Sequence, residues 1–168
     1  MIVVLMGVSG SGKTTIGTRL AERAGVVFAD ADDYHPAANK QKMASGQPLN
    51  DDDRQPWLET LNALMRGWIE SGKGGVLACS ALKEKYRETL SAGMPKGAIH
   101  FVLLDGSPEM IAGRLAARRH EFMNAKLLES QFATLETPQD ALCVVNDRAP
   151  EMVVDEILQH VGVQGQKL

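Results

Sequence analysis

The segment from Gly7 to Thr14 restricts the possible folds of this chain more than any other stretch. It reads Gly-Val-Ser-Gly-Ser-Gly-Lys-Thr and fits the phosphate-binding pattern G-x-x-x-x-G-K-[ST] at every fixed position. An apolar run over 2–6 precedes it and a helical pattern follows it, which is the context that this pattern requires. Glycines let the loop backbone approach a ligand closely, so that successive N–H groups converge on phosphate oxygens. The sequence therefore predicts a phosphate-binding loop between a buried strand and a helix.

The end of this loop carries two side chains suited to a chain of phosphates. Lys13 supplies a mobile cation for β- and γ-phosphates, and the Thr14 hydroxyl can complete the coordination shell of Mg²⁺. The helix that begins there adds the positive end of its dipole. A Gly/Ser-rich turn that happens to carry a lysine is the alternative interpretation.

Five short apolar runs alternate with helical patterns along the chain. Such an alternation is typical of a buried parallel sheet, which predicts an α/β fold. The length of 168 residues, without an internal repeat or linker, indicates a single domain over residues 1–168. The apolar runs cover residues 2–6, 26–28, 75–79, 99–104 and 142–145.

The sequence predicts the bounds of two helices. The first helix should stop at Gly25, because glycine adopts the left-handed conformation that ends many helices. A longer helix should cover residues 54–71, with Gly72 behind it. Its large apolar residues recur at helical spacing, which makes Trp57 and Trp68 core anchors rather than a platform for stacking bases.

The composition argues against two classes of partner. The formal net charge is −3 and the chain has no long Lys/Arg tract, so we expect no nucleic-acid partner. The first strand pattern follows Met1 directly, without a signal sequence, and no apolar stretch approaches the ~18 residues of a membrane span. We therefore expect no membrane partner and a cytoplasmic location. Cys79 and Cys143 each lie in an apolar run, and we expect both to be reduced core residues.

An acidic segment follows the second predicted strand. Ligands of open parallel sheets bind beyond the carboxyl ends of the strands, where Asp30, Asp32 and Asp33 lie. Holding carboxylates so close together costs free energy unless cations or a proton-donating substrate bind to them. One of them could accept the proton of a substrate hydroxyl during phosphoryl transfer. Alternatively, Asp32 and Asp33 only begin a turn as Asx caps.

Acidic residues also precede the long helix. Asp52 or Asp53 is suited to cap it, with Pro56 tolerated in the first turn. Arg54 opposes the helix dipole at this position, so we expect it to have an anionic partner. Its guanidinium could bind a substrate carboxylate through two hydrogen bonds, or it could pair with the neighbouring aspartates.

A helical pattern after the fourth strand places arginines on one face. Ser107 and Pro108 indicate its N-cap and first residue, and Arg114 and Arg118 lie one turn apart. The two arginines could belong to a lid that neutralises charge on a transferred phosphoryl group and excludes water. Alternatively, they lie on a solvated helix face. Asn124 should cap the helix that follows.

Five segments of the chain share the signatures of one family. They are Gly7-Val8-Ser9-Gly10-Ser11-Gly12-Lys13-Thr14; Asp30-Ala31-Asp32-Asp33-Tyr34-His35-Pro36 with Asn39 and Lys42-Met43; Gly46-Gln47-Pro48-Leu49-Asn50-Asp51-Asp52-Asp53-Arg54 with Pro56-Trp57-Leu58; Ala78-Cys79-Ser80-Ala81-Leu82-Lys83 with Tyr86-Arg87; and Ser130-Gln131-Phe132 with Leu135-Glu136. Together they resemble the gluconate kinases of the small P-loop type. The resemblance covers about residues 1–140, and the second and third segments are specific to this family.

This resemblance implies an activity and an architecture. The activity would be ATP-dependent phosphorylation of the 6-hydroxyl of D-gluconate, with Mg²⁺. The architecture would be a five-stranded parallel sheet of order 2-3-1-4-5 with an α-helical lid over about residues 107–135. The resemblance further implies a homodimer.

The resemblance also implies which residues serve the reaction. Asp32 would orient and deprotonate the acceptor hydroxyl, and Asp30 would act through the water shell of a Mg²⁺ ion held at Thr14. The other catalytic residues would be Lys13, Arg114 and Arg118. ATP would be bound by Gly7, Ser9, Gly10, Ser11, Gly12, Lys13, Thr14 and Thr15.

For the sugar acid, the resemblance implies contacts from six side chains. Two of them have alternative interpretations. His35 could simply stabilise the turn before Pro36, and Arg87 could pair with Glu84 or Glu88. The predicted contacts are Asp32, His35, Asn39, Arg54, Lys83 and Arg87.

The chain departs from the family pattern after the lid arginines. The family has Gly-His where this sequence has His120-Glu121, which should stiffen the return of the chain from the lid. Two other functions are compatible with the motifs, namely a kinase for another sugar acid or a nucleotide-dependent switch without turnover. The sequence Val-Asn-Asp-Arg over 145–148 is not the Asn-Lys-x-Asp signature of guanine binding, which argues against a GTPase.

Overall fold

A computed structural model of the chain describes residues 1–117, 125–139 and 141–165. Strands and helices alternate along these residues, as predicted for an α/β fold. In chain order the elements are β1 (Ile2–Met6), α1 (Lys13–Ala24), β2 (Val27–Asp30), a 3₁₀-helix (Ala31–Tyr34), α2 (Ala37–Ala44), α3 (Asp51–Ser71), β3 (Gly75–Ala78), α4 (Glu84–Ser91), β4 (His100–Asp105), α5 (Pro108–Ala117), α6 (Ala125–Thr134), β5 (Leu142–Val145) and α7 (Pro150–Gly165).

The five strands form one parallel sheet of order β2-β3-β1-β4-β5, which confirms the predicted order. β1 lies at the centre, and all five of its residues are buried. β3 and β4 lie on opposite sides of β1, so the two halves of the sheet meet at this strand. The loop after β1 therefore leaves at the point where the strand order reverses, which is where open α/β sheets bind ligands.

Two apolar clusters cover opposite faces of the sheet. Helices α1 and α7 pack on one face, where Leu20 and Ile157 are fully buried. Helices α3 and α4 cover the other face through Leu61 and Leu90, which are also fully buried. Because β1 is buried from both sides, the start of the loop that follows it is held in a fixed position.

The ends of the two predicted helices have clear physical causes. Gly25 has a φ of +70° and ends α1, and Gly72 has a φ of +69° and ends α3, as expected. The start of α3 was predicted three residues too late. Asn50, rather than Asp52 or Asp53, is its N-cap and accepts the N–H of Asp53. The carboxylate of Asp53 in turn accepts the N–H of Asn50, which completes a capping box.

Since α3 begins earlier than predicted, Pro56 lies in its second turn. The two tryptophans of this helix are core residues as predicted, because Trp57 belongs to the buried cluster and Trp68 packs against it. Trp57 also donates a 2.7 Å hydrogen bond from Nε1 to the carbonyl oxygen of Ala31, which fixes the 3₁₀-helix. Ser107 caps α5 by accepting the N–H of Met110, again as predicted.

The two cysteines differ from each other. Cys79 is buried, and burial raises the pKa of its thiol to about 12, so it stays a protonated core residue. Cys143 is exposed, which makes the prediction of a core position wrong. It lies on β5, an edge strand that has a neighbouring strand on one side only. Among the described helices, none is long and apolar enough to cross a bilayer.

Candidate active site

The phosphate loop, residues 7–14, leaves the carboxyl end of β1 at the middle of the sheet. Gly7, Gly10 and Gly12 have φ values of +145°, +82° and +97°, in the region that favours glycine. Gly12 directly precedes α1, and in the described part of the chain no side chain caps this helix. The first N–H groups of α1 are therefore available to an anion.

Lys13, the first residue of α1, folds back over the loop. Its Nζ donates hydrogen bonds to the carbonyl oxygens of Gly7 at 2.8 Å and Val8 at 3.0 Å. Burial lowers the pKa of the Lys13 ammonium group, whereas the negative charges of Asp32 and Asp30 favour its charged form. The lysine thus lies between the loop and the acidic segment, as a phosphate-binding lysine requires.

Thr14 and Asp30 form a pair of oxygen donors beside the loop. Thr14 Oγ1 lies 3.5 Å from Asp30 Oδ2, and Asp30 Oδ1 accepts the N–H of Asp32 at 3.0 Å. Hydroxyl and carboxylate oxygens are ligand types that suit Mg²⁺, which usually takes one or two protein ligands with substrate phosphates. No cluster of three or more potential ligands among His, Cys, Asp and Glu occurs in the described ranges. Thr15 lies exposed in the first turn of α1.

Asp32 lies in the 3₁₀-helix after β2. The Asx cap of this 3₁₀-helix is Asp30, not Asp32 or Asp33, so capping does not account for the Asp32 carboxylate. Asp32 is an exposed residue, but partial desolvation of its carboxyl group, followed by repulsion from Asp30, raises its pKa, and His35 and Lys13 act in the opposite direction. A carboxylate with a raised pKa is a better proton acceptor than an ordinary aspartate.

His35 lies between this acidic segment and α3. Its ring stacks on Trp57 with centroids 4.3 Å apart, and its Nδ1 lies 3.2 Å from Nδ2 of Asn39. Asn39 Nδ2 also donates to the carbonyl oxygen of Asp53 at 2.8 Å, so the amide nitrogen faces His35 as a donor. Burial lowers the pKa of His35, which favours a neutral ring with its proton on Nε2. Both residues predicted for the sugar acid therefore stabilise the turn as well.

Asp51 is the centre of a group of cationic and phenolic side chains, which we call the Asp51 cluster. Arg54 Nη1 and Lys83 Nζ lie 3.7 Å and 3.6 Å from Asp51 Oδ1. The hydroxyl group of Tyr86 donates a hydrogen bond to the Asp51 carboxylate, and the ammonium group of Lys85 donates another to it. The sequence left open whether Arg54 binds substrate or pairs with an aspartate, and the structure shows the pairing. The cluster combines three cations with one carboxylate, so it keeps an excess of positive charge.

Arg87, which was predicted to contact the sugar acid, binds main-chain oxygens in the structure. Its guanidinium donates to the carbonyl oxygens of Ala81 at 2.9 Å and Glu136 at 2.8 Å, with a longer bond to Leu82. Only 8% of the residue is exposed. These bonds tie α4 to the segment after α6, so the structure gives Arg87 an architectural role. Neither Glu84 nor Glu88 forms the ion pair that the sequence offered as its alternative.

Arg114 and Arg118 were predicted to act together from the lid. Arg114, on α5, donates to the backbone carbonyl of Asn146 in the loop after β5. Arg118 lies outside the described residues, as do His120, Glu121 and Asn124. Of the two arginines, Arg114 therefore has a defined partner, in the loop that follows β5.

Sequence reasoning did not single out two residues that hold the phosphate loop. Asn146 donates from Nδ2 to the carbonyl oxygen of Ser11 at 2.9 Å, and Gln131 accepts the N–H of Ser9 at 2.7 Å. Both are separated from the loop by more than a hundred residues, so local pattern carries no sign of the contact. The signature around Gln131 could have drawn attention to it. Ser11 is buried, and within the described residues its Oγ has no hydrogen-bond partner.

The arrangement has the parts that phosphoryl transfer needs. The loop and Lys13 offer positive potential for phosphates, and Asp32 offers a proton acceptor next to Asp30, whose carboxylate faces the Thr14 hydroxyl of the loop. Helix α3 packs against the 3₁₀-helix that carries Asp32, because Trp57 of α3 donates to the carbonyl oxygen of Ala31. The Asp51 cluster includes the first turn of the same helix, and its excess of positive charge can attract an anion.

Comparisons with known proteins agree with this geometry. A family model described as an AAA domain matches residues 2–138. Gluconokinase from Gluconobacter oxydans is 46% identical over 94% of this chain and 89% of its own length. Thermoresistant gluconokinase from Escherichia coli is 42% identical over 94% of this chain and 91% of its own length.

A solved structure gives the same result at the level of the fold. The crystal structure of a gluconokinase from Sinorhizobium meliloti matches 97% of this chain and 92% of that chain, with 38% identity and a TM-score of 0.86. Identity of this extent, over nearly the whole length of both partners and together with the matched fold, shows that the chain belongs to the gluconokinase family of P-loop kinases.

Proposed function

We propose that this protein transfers the γ-phosphoryl group of ATP to the 6-hydroxyl of D-gluconate. In this reaction O6 forms a bond to the γ-phosphorus, the bond from that phosphorus to the β–γ bridging oxygen breaks, and ADP leaves. The observation that carries the proposal is the position of Asp32. Asp30 binds the N–H of Asp32 through one carboxylate oxygen and faces the Thr14 hydroxyl of the phosphate loop with the other, so Asp32 follows directly on the residue that contacts the loop.

The phosphate loop binds the triphosphate of ATP in this proposal. The uncapped start of α1 and the positive φ angles of the loop supply converging N–H groups, and Lys13 supplies the charge. When a phosphate enters, Lys13 exchanges its bonds to the carbonyl oxygens of Gly7 and Val8 for bonds to phosphate oxygens. The ATP-binding residues are Gly7, Ser9, Gly10, Ser11, Gly12, Lys13, Thr14 and Thr15.

Thr14 and Asp30 fit a Mg²⁺ ion that accompanies ATP. The pair offers two hard oxygen donors 3.5 Å apart next to the loop, Thr14 as a direct ligand and Asp30 through water. The ion would neutralise charge on the phosphates. Asp30 also fixes the main chain at Asp32 through its hydrogen bond to that N–H group, so the same residue aligns the catalytic base.

Asp32 takes the proton of the 6-hydroxyl. Its raised pKa matches this role, because a carboxylate that binds protons more strongly assists their removal better in the transition state. Asp30 and Asp32 carry like charges side by side. A Mg²⁺ ion held by Thr14 and Asp30 would give the Asp30 carboxylate a partner, and the substrate hydroxyl would give one to Asp32.

The other end of gluconate carries a carboxylate, which we assign to the Asp51 cluster. Arg54 and Lys83 lie more than 3.5 Å from Asp51, so neither forms a hydrogen bond to it, and Arg54 Nη1 donates instead to the hydroxyl of Tyr86 at 3.3 Å. The remaining donors of Arg54 and the ammonium group of Lys83 can bind a second carboxylate. The neutral ring of His35 and the amide oxygen of Asn39 bind the hydroxyl groups that lie between the carboxylate and the 6-hydroxyl of gluconate.

We further propose the lid, the domain and the assembly state that the family resemblance implies. Residues 107–135 form a lid within one domain over 1–168, Arg114 and Arg118 serve the phosphates from it, and the protein is a cytoplasmic homodimer. The dimer is tested by light scattering at several concentrations. A mass that corresponds to one chain of 18.2 kDa at all of them would contradict it.

A coupled assay of ADP release tests the activity directly. Purified protein is incubated with ATP, Mg²⁺ and D-gluconate, with D-glucose as the matched substrate that lacks the carboxylate and D-glucarate as the control in which a carboxylate replaces the 6-hydroxyl acceptor. We expect gluconate to be preferred, and ³¹P NMR should identify the product as a 6-phosphate. ADP release that does not depend on a sugar acid would contradict the proposal, and binding of ATP without ADP release in the presence of any sugar acid would favour the nucleotide-dependent switch without turnover.

A further inference from the structure

The side-chain amide of Gln131 is bound to the phosphate loop at two atoms. Its Oε1 accepts the main-chain N–H of Ser9 at 2.7 Å, and its Nε2 donates to Ser9 Oγ at 3.2 Å. The oxygen and the nitrogen of one side-chain amide therefore both bind a single residue of the loop. Gln131 lies on α6, the helix that returns from the lid segment, 122 residues further along the chain.

Helix α6 is well anchored on both sides of this contact. Leu128, one turn earlier, is buried in a small apolar cluster with Val8 of the loop, and Phe132 packs against that cluster. After the helix, Glu136 donates its N–H to the carbonyl oxygen of Leu82 at 2.7 Å, and its carboxylate accepts the N–H of Glu84 at 2.8 Å. Gln131 thus projects from a helix whose position is fixed by other contacts.

The loop itself needs such an external support. Its glycines give the segment between β1 and α1 large conformational freedom, and ordering this freedom on binding costs free energy. A residue that holds the loop in one conformation before the ligand arrives removes part of that cost. The bond to the N–H of Ser9 is suited to this, because it fixes the peptide plane between Val8 and Ser9.

We propose that Gln131 is a positioning residue that prepares the phosphate loop for the nucleotide. It acts through Ser9 and contacts no reacting atom. Because Glu136, two residues after the end of α6, binds Leu82 and Glu84, Gln131 fixes the phosphate loop relative to the side of the site that carries Lys83. This inference deepens the proposed function and rests on it only in taking the ligand to be ATP.

Gln131→Met tests the proposal without opening a cavity, since methionine keeps the length and apolar volume of glutamine but cannot bind the Ser9 N–H in the same way. ATP binding is measured by calorimetry in the absence of gluconate. We expect the Kd for ATP to rise about 10-fold, the equivalent of about 1.4 kcal/mol. The thermal midpoint should move by less than about 4 °C, which is the change that ~1 kcal/mol produces in a protein of this size.

Ser9→Ala gives an independent test of the same contact. It removes the acceptor for Nε2 and leaves the main-chain N–H in place, so we expect the Kd for ATP to rise about 3-fold. In the Gln131→Met protein, Ser9→Ala should have no further effect, because the two residues act through one contact. Glu129→Ala, on an exposed position of the same helix, is the control and should leave the Kd unchanged.

Two results would overturn the proposal. One is a Gln131→Met protein that binds ATP as tightly as the parent or more tightly, which would mean that the contact is neutral or competes with phosphate. The other is a full additive effect of Ser9→Ala in the Gln131→Met protein. Because the Kd is measured without gluconate, a protein that fails to phosphorylate gluconate would contradict the proposed function while leaving this test intact.

Discussion

Asn146 Nδ2 donates a 2.9 Å hydrogen bond to the carbonyl oxygen of Ser11, from the end of β5 to the phosphate loop. Asn146 is buried, and its own N–H bonds to the carbonyl oxygen of Asp105 at the end of β4. The loop is therefore held from the far half of the sheet. A Cβ atom on Gly12 would overlap this same side-chain nitrogen, so the contact leaves room only for glycine.

Gly12→Ala should therefore disrupt the phosphate loop. The φ of +97° costs a non-glycine residue about 1–2 kcal/mol, and the loss of the buried Asn146 bond adds about 1 kcal/mol. We expect the free energy of unfolding to fall by about 2 kcal/mol in urea titrations and ATP binding to fall at least 10-fold. Gly67→Ala is the control, because Gly67 lies in α3 where an added Cβ meets no atom within 4 Å. That variant should be as active as the parent and about 0.5–1 kcal/mol more stable.

Lys13→Met should abolish useful turnover and leave the fold intact. The ammonium group bonds only to carbonyl oxygens of the loop in the described structure, so its loss removes charge for the phosphates rather than core packing. The measurement is gluconate-dependent ADP release, with circular dichroism to confirm folding. Lys73→Met, at an exposed position after α3, serves as control. Normal turnover by a folded Lys13→Met protein would remove the phosphate loop from the proposed site.

Asp32→Asn should lower kcat by about 10²–10⁴-fold, the usual range for loss of a general base, with little change in ATP binding. In the parent protein, the raised pKa means that Asp32 gains its proton at a higher pH than an ordinary aspartate, whose pKa is about 3.9. The kcat/KM for gluconate should therefore fall with decreasing pH through a value above that figure.

The pH profile gives the more specific test of this assignment. The acidic limb should disappear in Asp32→Asn and persist in Asp33→Asn, an exposed neighbour. If Asp32→Asn raised only the KM for gluconate and kept the acidic limb, Asp32 would be a binding residue and another group would be the base.

Local features of the fold were predictable from the sequence because their causes are local. The left-handed Gly25 and Gly72 end their helices by their own conformational preference, and the phosphate loop is recognisable from its residue types and its flanking elements. The sheet order was predictable only through the resemblance to a family. The start of α3 was missed because Asn50 competes with three following aspartates as a cap, and only the structure shows which side chain accepts the bond.

The contacts that organise the site were not predictable, since they join residues far apart in the chain. The pairs Asn146–Ser11 and Gln131–Ser9 are separated by 135 and 122 residues. The exposure of Cys143 was predicted wrongly for a different reason. Its apolar neighbours indicate a buried strand, but β5 is at the sheet edge and the thiol is exposed. The composition of a strand does not show whether that strand lies at the edge of the sheet.

Arg114→Ala and Arg118→Ala should have different effects. Arg114 binds the carbonyl oxygen of Asn146, beside the phosphate loop, so its loss should mainly raise the KM for ATP. Arg118, on the prediction from sequence, meets charge that develops on the transferred group, and its loss should lower kcat by about 10²-fold, or about 3 kcal/mol. Arg66→Ala, at an exposed position of α3, is the control. Steady-state kinetics with both substrates separate these outcomes, and equal effects on kcat would show that both arginines meet the transition state.

Asp51→Asn should weaken the binding of gluconate. The carboxylate of Asp51 attracts Arg54 and Lys83, and it fixes Tyr86 through a hydrogen bond. Hydrogen bonds from Lys85 and Tyr86, together with the charge of Lys83, hold the pKa of Asp51 well below its usual range, so the residue is charged near neutral pH. Asparagine keeps the shape but removes the attraction, and the cationic side chains should then occupy more orientations.

We expect the KM for gluconate to rise about 3- to 10-fold in Asp51→Asn, while kcat and the KM for ATP stay near the parent values. Asp52→Asn, the exposed neighbour in the first turn of α3, should have no such effect and controls for the change in net charge. A lower KM for gluconate in Asp51→Asn would reverse the assignment. It would mean that Asp51 competes with the substrate carboxylate for Arg54 and Lys83, so that binding requires its displacement.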